Sequence, residues 1–112
     1  MCAGAGSYFK TYSAKITIIG VEPEGAPSMT EALKAGKPVL LDSIDRFVDG
    51  AAVKRVGDIS FSICKEVLDD IQLVPEGKVC SAILKLYNED AVVVEPAGAL
   101  SVAVLDQYAA AI

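Results

Sequence analysis

Two carboxylates, Glu22 and Glu95, are the residues of this chain whose type and spacing best suit chemistry. Each lies near the end of an apolar run and directly precedes proline, in the segments 20–23 (Gly-Val-Glu-Pro) and 93–96 (Val-Val-Glu-Pro). Such runs are typical of buried parallel strands. Because the carboxyl ends of parallel strands meet at the edge where open α/β sheets bind ligands, the sequence predicts that both acids point at one site.

Few other residues could complete an active site around these acids. The chain has no histidine and no glycine-rich phosphate loop. Its three cysteines, at positions 2, 64 and 80, are odd in number and lack the spacing of a zinc site or a disulfide framework. This cysteine usage favours a reducing, cytoplasmic setting. The shortage of polar partners predicts that the chain is part of an enzyme.

The composition predicts a surface that meets another domain or subunit. The 112 residues are 53% hydrophobic and 22% charged, and the mean hydropathy is +0.44. A domain of this size buries only about 60–70% of its unfolded surface, so some of this apolar content must remain exposed. We expect a homo-oligomer or contact with a further domain; an ordinary alanine-rich soluble domain is the alternative.

Charge and hydropathy exclude two classes of partner. The net charge is −5, and the basic residues are scattered among acids, which argues against binding of a nucleic-acid backbone. Apolar runs all fall well short of the roughly 18–20 residues that a membrane span needs. The sequence therefore predicts neither a nucleic-acid nor a membrane partner.

The elements that must position the two acids follow an α/β order. Ser28 and Glu31 have capping-box spacing and Gly36 sits at a helix stop, which predicts a short helix between them. The full pattern predicts helix 3–12, strand 15–21, helix 29–35, a long loop 37–55 with a short strand near 39–41, helix 58–68, strand 71–74, helix 76–87, strand 91–94 and helix 96–112. This order predicts an open, mostly parallel sheet of three to four strands with helices on both faces.

The last predicted helix is apolar almost all round. A helix of that kind is normally buried on every side. It runs to residue 112 without a glycine, proline or polar stop, so we expect the chain to be a piece of a larger domain.

Three segments together carry a resemblance to a known family. They are 20–29 (GVEPEGAPSM), 47–58 (FVDGAAVKRVGD) and 95–100 (EPAGAL). The chain resembles biosynthetic threonine dehydratase (threonine ammonia-lyase), a fold type II pyridoxal-phosphate enzyme, along essentially all of its length, with the blocks in the family's order. The resemblance implies one partial domain over residues 1–112, similar to the C-terminal half of the large cofactor-binding domain.

The resemblance implies a β-elimination that converts L-threonine, a small amino-acid substrate, to 2-oxobutanoate and ammonia in isoleucine biosynthesis. Such an enzyme needs a Schiff-base lysine, a glycine-rich phosphate loop and a partner for the pyridine nitrogen. By resemblance, the loop would precede Met1, the nitrogen partner would follow Ile112, and the lysine would lie in a preceding part. We therefore expect this chain to be inactive alone, to hold no covalent cofactor and to need the remainder of the enzyme; a non-enzymatic α/β assembly or regulatory module is the alternative.

The resemblance also implies a place for the cofactor ring. Glu95 would approach the ring's edge, and the small residues Gly50 and Ala51 would form a wall over it, where glycine lets the backbone come close. The alternatives are that Glu95 only stabilises a helix N-terminus and that residues 50–51 belong to an ordinary loop.

A structural cation is the last implied ligand. By resemblance to related dehydratases and racemases, the Glu22 carboxylate and the Ala26 carbonyl would bind it, since hard cations prefer such oxygens. The implied ligand is a monovalent or divalent cation. Where some relatives place an acid as the next ligand, this chain has Ser28, which argues against a tightly held divalent ion and leaves a weak monovalent or an empty site. The alternative is that Ser28 caps a helix and Glu22 is solvated.

Overall fold

The computed structural model describes residues 1–109, which form a mixed α/β structure. The elements in chain order are α1 (Cys2–Tyr12), β1 (Ile19–Pro23), α2 (Ser28–Ala35), α3 (Asp58–Val67), β2 (Asp70–Val74), α4 (Glu76–Asp90), α5 (Pro96–Ala103) and α6 (Leu105–Tyr108). The predicted α/β class is confirmed. Among these described helices none is both long and apolar enough to cross a membrane.

The two strands pair in parallel, in a register that runs from Ile19 opposite Asp70 to Pro23 opposite Val74. β1 begins four residues later than predicted, because Ser13 and Ile16 close a turn through a 3.2 Å backbone hydrogen bond. The parallel pairing places the carboxyl end of β1, with Glu22, beside the end of β2.

Two predicted strands do not pair in the part of the chain that the structure describes, so the sheet there has two strands and not three to four. The 91–94 segment leaves α4 through Ala91, which adopts a left-handed φ of 54°. The next amide, that of Val92, then bonds back to the Leu86 carbonyl at 3.0 Å. The other segment, 39–41, lies in the long loop, where the Leu41 amide bonds to the Lys54 carbonyl at 2.9 Å.

The final apolar segment is broken at Val104, so α5 and α6 replace the single helix predicted over 96–112; residues 110–112 lie outside the described part. Only one side of it is buried within this chain. Val102 is 37% exposed and Leu105 49% exposed, so burial of the other side by a further domain or subunit stays a prediction.

Two apolar clusters hold the elements together. The larger lies between β2, α4 and α5 and includes Val48 from the long loop; its buried members are Val48, Val74, Val79, Ala82, Ala99, Leu100, Ala103 and Val104. The smaller joins α2 to α3 through Ala32, Val56 and Phe61. Val48 is 1% exposed, so the loop that contains Gly50 and Ala51 is anchored in the core.

Candidate functional site

The Glu22 carboxylate, at the end of β1, is bound to the first turn of α2. Its Oε1 accepts the Met29 backbone amide at 2.7 Å and the Ser28 hydroxyl at 3.5 Å. Its Oε2 accepts the Thr30 amide at 2.9 Å and the Thr30 hydroxyl at 2.8 Å. A carboxylate at this position satisfies amides that have no partner inside the helix and interacts favourably with the helix dipole.

This arrangement replaces the predicted capping box. Ser28 makes no side-chain cap, and the Glu31 carboxylate pairs with Lys34 at 2.8 Å. The expectation of a reciprocal Ser28–Glu31 cap is therefore wrong, because Glu22 takes that role from the neighbouring strand. The helix stop at Gly36, with φ of 74°, is as predicted.

A pocket of about 220 Å³ lies beside Glu22. Its walls come from the start of α1, the strand β1, the start of α2, the loop and α3. The lining residues include Met1, Cys2, Glu22, Met29, Ala51 and Cys64. The pocket therefore lies between Glu22 and Ala51, one of the two loop residues that were predicted to border a cofactor ring.

Gly50 and Glu95, which the family resemblance places around one cofactor ring, are neighbours. A Cβ atom at Gly50 would lie 2.9 Å from the Ala97 Cβ and 3.6 Å from Oε1 of Glu95. Ala51, next in the chain, lines the pocket. Glu95 is exposed and flanks Gly50, whereas Glu22 lines the pocket itself. The Gly50–Ala51 segment thus lies beside Glu95 at one residue and borders the Glu22 pocket at the next. That both acids point at one site stays a prediction.

The loop that presents Gly50 and Ala51 is tied to the sheet edge by its backbone. The Asp45 amide bonds to the Gly25 carbonyl at 2.8 Å, and the Gly25 amide bonds to Oε1 of Glu76 at 2.7 Å. These bonds connect the loop, the end of β1 and the start of α4.

Cation ligation at Glu22, Ala26 and Ser28 stays a prediction. Glu22 and Ser28 are in contact, with four donors already directed at the carboxylate. In the part of the chain that the structure describes, no group of three or more acidic, histidine or cysteine side chains is placed to hold a metal.

Sequence reasoning missed the roles of two residues, Asp69 directly before β2 and Cys64 in the pocket wall. Asp69 pairs with Lys10 at 2.7 Å and accepts the Ile18 amide at 2.7 Å; the lysine hydrogen bond and this amide lower the pKa of Asp69. Cys64 lines the pocket, and burial raises the pKa of its thiol. Both roles depend on contacts between distant segments, which no local pattern signals.

Comparison with known proteins gives the family. The sequence model of the family described as pyridoxal-phosphate dependent enzyme matches residues 1–112. The chain belongs to this family. Its members depend on pyridoxal phosphate, as the resemblance implied.

Curated relatives in the family are biosynthetic L-threonine dehydratases. The protein of Halalkalibacterium halodurans is 58% identical over 108 residues, and that of Bacillus subtilis is 59% identical over 108 residues. Each match covers 96% of this chain and 26% of the relative. The similarity to threonine dehydratase is confirmed, and the chain spans about a quarter of the length of these relatives.

Solved structures of the family have the same fold over this stretch. The processed threonine deaminase isoform 2 of Solanum lycopersicum is 40% identical with a TM-score of 0.87, covering 91% of this chain and 30% of that one. The T.th. threonine deaminase is 32% identical with a TM-score of 0.91, covering 97% of this chain and 40% of that one. The fold of these pyridoxal-phosphate enzymes is therefore the fold of this chain.

Proposed function

We propose that this chain forms part of the cofactor domain of a pyridoxal-phosphate-dependent threonine dehydratase, which converts L-threonine to 2-oxobutanoate and ammonia by β-elimination. The observation that carries the proposal is the similarity to curated threonine dehydratases along 96% of the chain. The segment corresponds to the C-terminal half of the large domain, and residues 1–112 act as one partial domain.

The residues at the pocket fit the cofactor without a covalent bond. Gly50 lies so close to α5 that an added Cβ atom would be 2.9 Å from that of Ala97, so glycine allows the backbone to pass beside Glu95. The first turn of α1 lines the pocket and presents backbone amides without partners inside the helix, which favour an anionic group such as a phosphate. When bound, pyridoxal phosphate supplies an electron sink for a carbanion at the substrate α-carbon.

In the proposed enzyme, residues of this chain bind the cofactor and orient its ring. Gly50 and Ala51 form the wall against the ring, and Glu95 faces the ring's edge. Glu22 fixes the start of α2, and so the Met29 side of the pocket, through its bonds to Met29 and Thr30. Among the described residues no lysine lines this pocket, which supports the proposal that the reactive lysine comes from the remainder of the enzyme.

The remainder of the enzyme and a second subunit are the proposed partners, in a cytoplasmic homo-oligomer. Large apolar side chains are exposed on several elements, including Tyr12 at 82%, Leu84 at 61% and Val93 at 82%. Exposed apolar area of this extent is unfavourable in water and is typical of surfaces that are covered by other protein.

The cation site is also proposed, in a weak form. The Glu22 carboxylate, the Ala26 carbonyl and Ser28 lie at the end of β1 and the start of α2, and an ion there must compete with four hydrogen-bond donors. We therefore expect low affinity for both monovalent and divalent ions.

Transfer of this chain into a complete relative tests the function. The matching segment of the Bacillus subtilis enzyme is replaced by these residues, and 2-oxobutanoate is measured with L-threonine and pyridoxal phosphate. An active graft supports the proposal. A folded graft that neither binds the cofactor nor releases 2-oxobutanoate contradicts it and favours a non-enzymatic assembly or regulatory module.

A further inference from the structure

Helices α1 and α3 pack side by side and run in the same direction. A Cβ atom at Gly6 of α1 would lie 2.6 Å from Cγ2 of Val67 in α3, so the two backbones approach closely at this point. Further along both helices, Lys10 pairs with Asp69, just after the end of α3. Residue numbers therefore rise together along the two helices, which fixes their relative register.

The same register brings two cysteines together one turn earlier. Cys2 lies four residues before Gly6, and Cys64 lies three residues before Val67, so both fall on the facing sides of the two helices. Both also line the pocket beside Glu22. Burial is the largest cause that raises the pKa of the Cys64 thiol, and the charge of Cys2 is the next, as expected for neighbouring thiols.

The two thiols differ in their exposure to solvent. Cys2 is exposed at the start of α1, whereas Cys64 is 2% exposed. Because its sulfur is open to solvent, Cys2 is placed to react first with a reagent from solution. Cys64 lines the pocket wall.

We propose that Cys2 and Cys64 form a reversible disulfide across the α1–α3 interface, by exchange with a disulfide of a low-molecular-weight thiol such as glutathione. This inference is independent of the threonine dehydratase proposal, since it rests only on the helix register and the two thiols. A disulfide needs Cα atoms within about 4.4–6.8 Å, and the close helix contact at Gly6 favours such a separation one turn away.

The exchange takes place in two balanced steps. The Cys2 thiolate attacks one sulfur of the small disulfide, forms a mixed disulfide and releases one thiol. The Cys64 thiolate then attacks the Cys2 sulfur and releases the second thiol. The cysteine pair loses two electrons and two protons, and the small disulfide is reduced to two thiols.

A bond between these residues would tie α1 to α3 at the pocket. Because both residues line that pocket, oxidation should restrict the movement of its walls and slow the entry of a ligand. In a reducing setting such bonds are transient and regulatory, so reduction would restore the open form.

The experiment is oxidation of the native chain with excess glutathione disulfide, followed by alkylation of free thiols and non-reducing peptide mapping. We expect one intramolecular Cys2–Cys64 link that is reversed by a dithiol reductant. The link should persist in Cys80→Ser, the matched control, since Cys80 is exposed on α4 outside the pocket. It should be absent in Cys2→Ser and in Cys64→Ser.

Three outcomes would overturn the proposal: only mixed disulfides with glutathione, links that involve Cys80 or a second molecule, or no oxidation at all. If the buried Cys64→Ser variant fails to fold, the Cys2→Ser variant tests the link by itself, because the exposed Cys2 position tolerates serine. In Cys2→Ser, Cys64 should stay reduced; oxidation of Cys64 in that variant would contradict the proposed order of the two steps.

Discussion

The Oε2 atom of Glu22 accepts both the backbone amide and the hydroxyl of Thr30, at 2.9 and 2.8 Å. This contact joins the end of strand β1 to the first turn of helix α2. Thr30 is 8% exposed, so its hydroxyl is satisfied mainly by this carboxylate. The strand and the helix that border the candidate cofactor pocket are thus held together by one side chain.

The first prediction concerns this contact. Glu22→Gln removes the charge and one acceptor, and should lower the free energy of unfolding by about 1–3 kcal/mol, because hydrogen bonds to charged groups are strong. Thr30→Val removes only the hydroxyl and should cost about 1 kcal/mol. Urea unfolding of both single variants and the double variant should give a favourable coupling of at least about 0.5 kcal/mol. Additive effects would mean that the two side chains act independently.

The second prediction concerns the cation. Thermal unfolding is measured in potassium, magnesium or calcium against a bulky organic cation at matched ionic strength, in the native chain and in Glu22→Gln. An ion that binds only the folded chain stabilises it by RT ln(1 + [L]/Kd). We expect a small, ion-specific shift at high concentration that vanishes in the variant. Equal shifts of the unfolding temperature in both proteins would mean that no ion binds at Glu22, whose role would then be only to bind the start of α2.

The third prediction concerns the space at Gly50. Gly50→Ala would place a Cβ atom 2.9 Å from that of Ala97, so the loop or α5 must move, at a cost of about 1–3 kcal/mol. Gly77→Ala is the matched control. That glycine lies in α4 with nothing within 4 Å of an added Cβ, so alanine there should stabilise by about 0.5–1 kcal/mol. Equal effects of the two changes would show that the Gly50 contact is not tight.

The fourth prediction concerns acid stability. The pKa of Asp69 is lowered by the hydrogen bond from Lys10 and by the Ile18 amide. A carboxyl whose folded pKa lies below the unfolded value of about 3.9 contributes stability that is present above that value. This contribution is lost as the pH falls through the lower, folded pKa.

Asp69→Asn should therefore lower stability at neutral pH and flatten the decline of unfolding free energy below pH 4, measured by urea unfolding at a series of pH values. Asp58→Asn is the control. Asp58 also has a lowered pKa, from its hydrogen bond to Arg55, but that pair is more exposed than Lys10–Asp69 and should contribute little. An unchanged pH profile in Asp69→Asn would contradict the role given to Asp69.

The ends of helices could be predicted from the sequence where the start or stop signal lies in the neighbouring residues. Gly36 adopts the left-handed conformation that a helix stop favours, and Pro96 starts α5 as expected. The segments around Gly50 and Glu95 were predicted as one site only through the family resemblance, since 45 residues separate them in the chain.

The remaining features arise from contacts between distant segments. The cap on α2 comes from Glu22, a residue of the preceding strand, and a serine with capping-box spacing does not reveal that competitor. Ala91 ends α4 in the left-handed conformation, although alanine carries no turn signal. The Gly6–Val67 contact, which fixes the register of α1 and α3, equally depends on tertiary packing.

The most direct test compares 2-oxobutanoate formation from L-threonine, with pyridoxal phosphate present, by the isolated chain and by its graft in the Bacillus subtilis enzyme. We expect no product from the isolated chain. The graft should react within about tenfold of the parent enzyme, a difference of about 1.4 kcal/mol in activation free energy. Product formation by the isolated chain would contradict its expected dependence on the remainder of the enzyme. A folded graft without activity would contradict the proposal that this chain belongs to the cofactor domain of a threonine dehydratase.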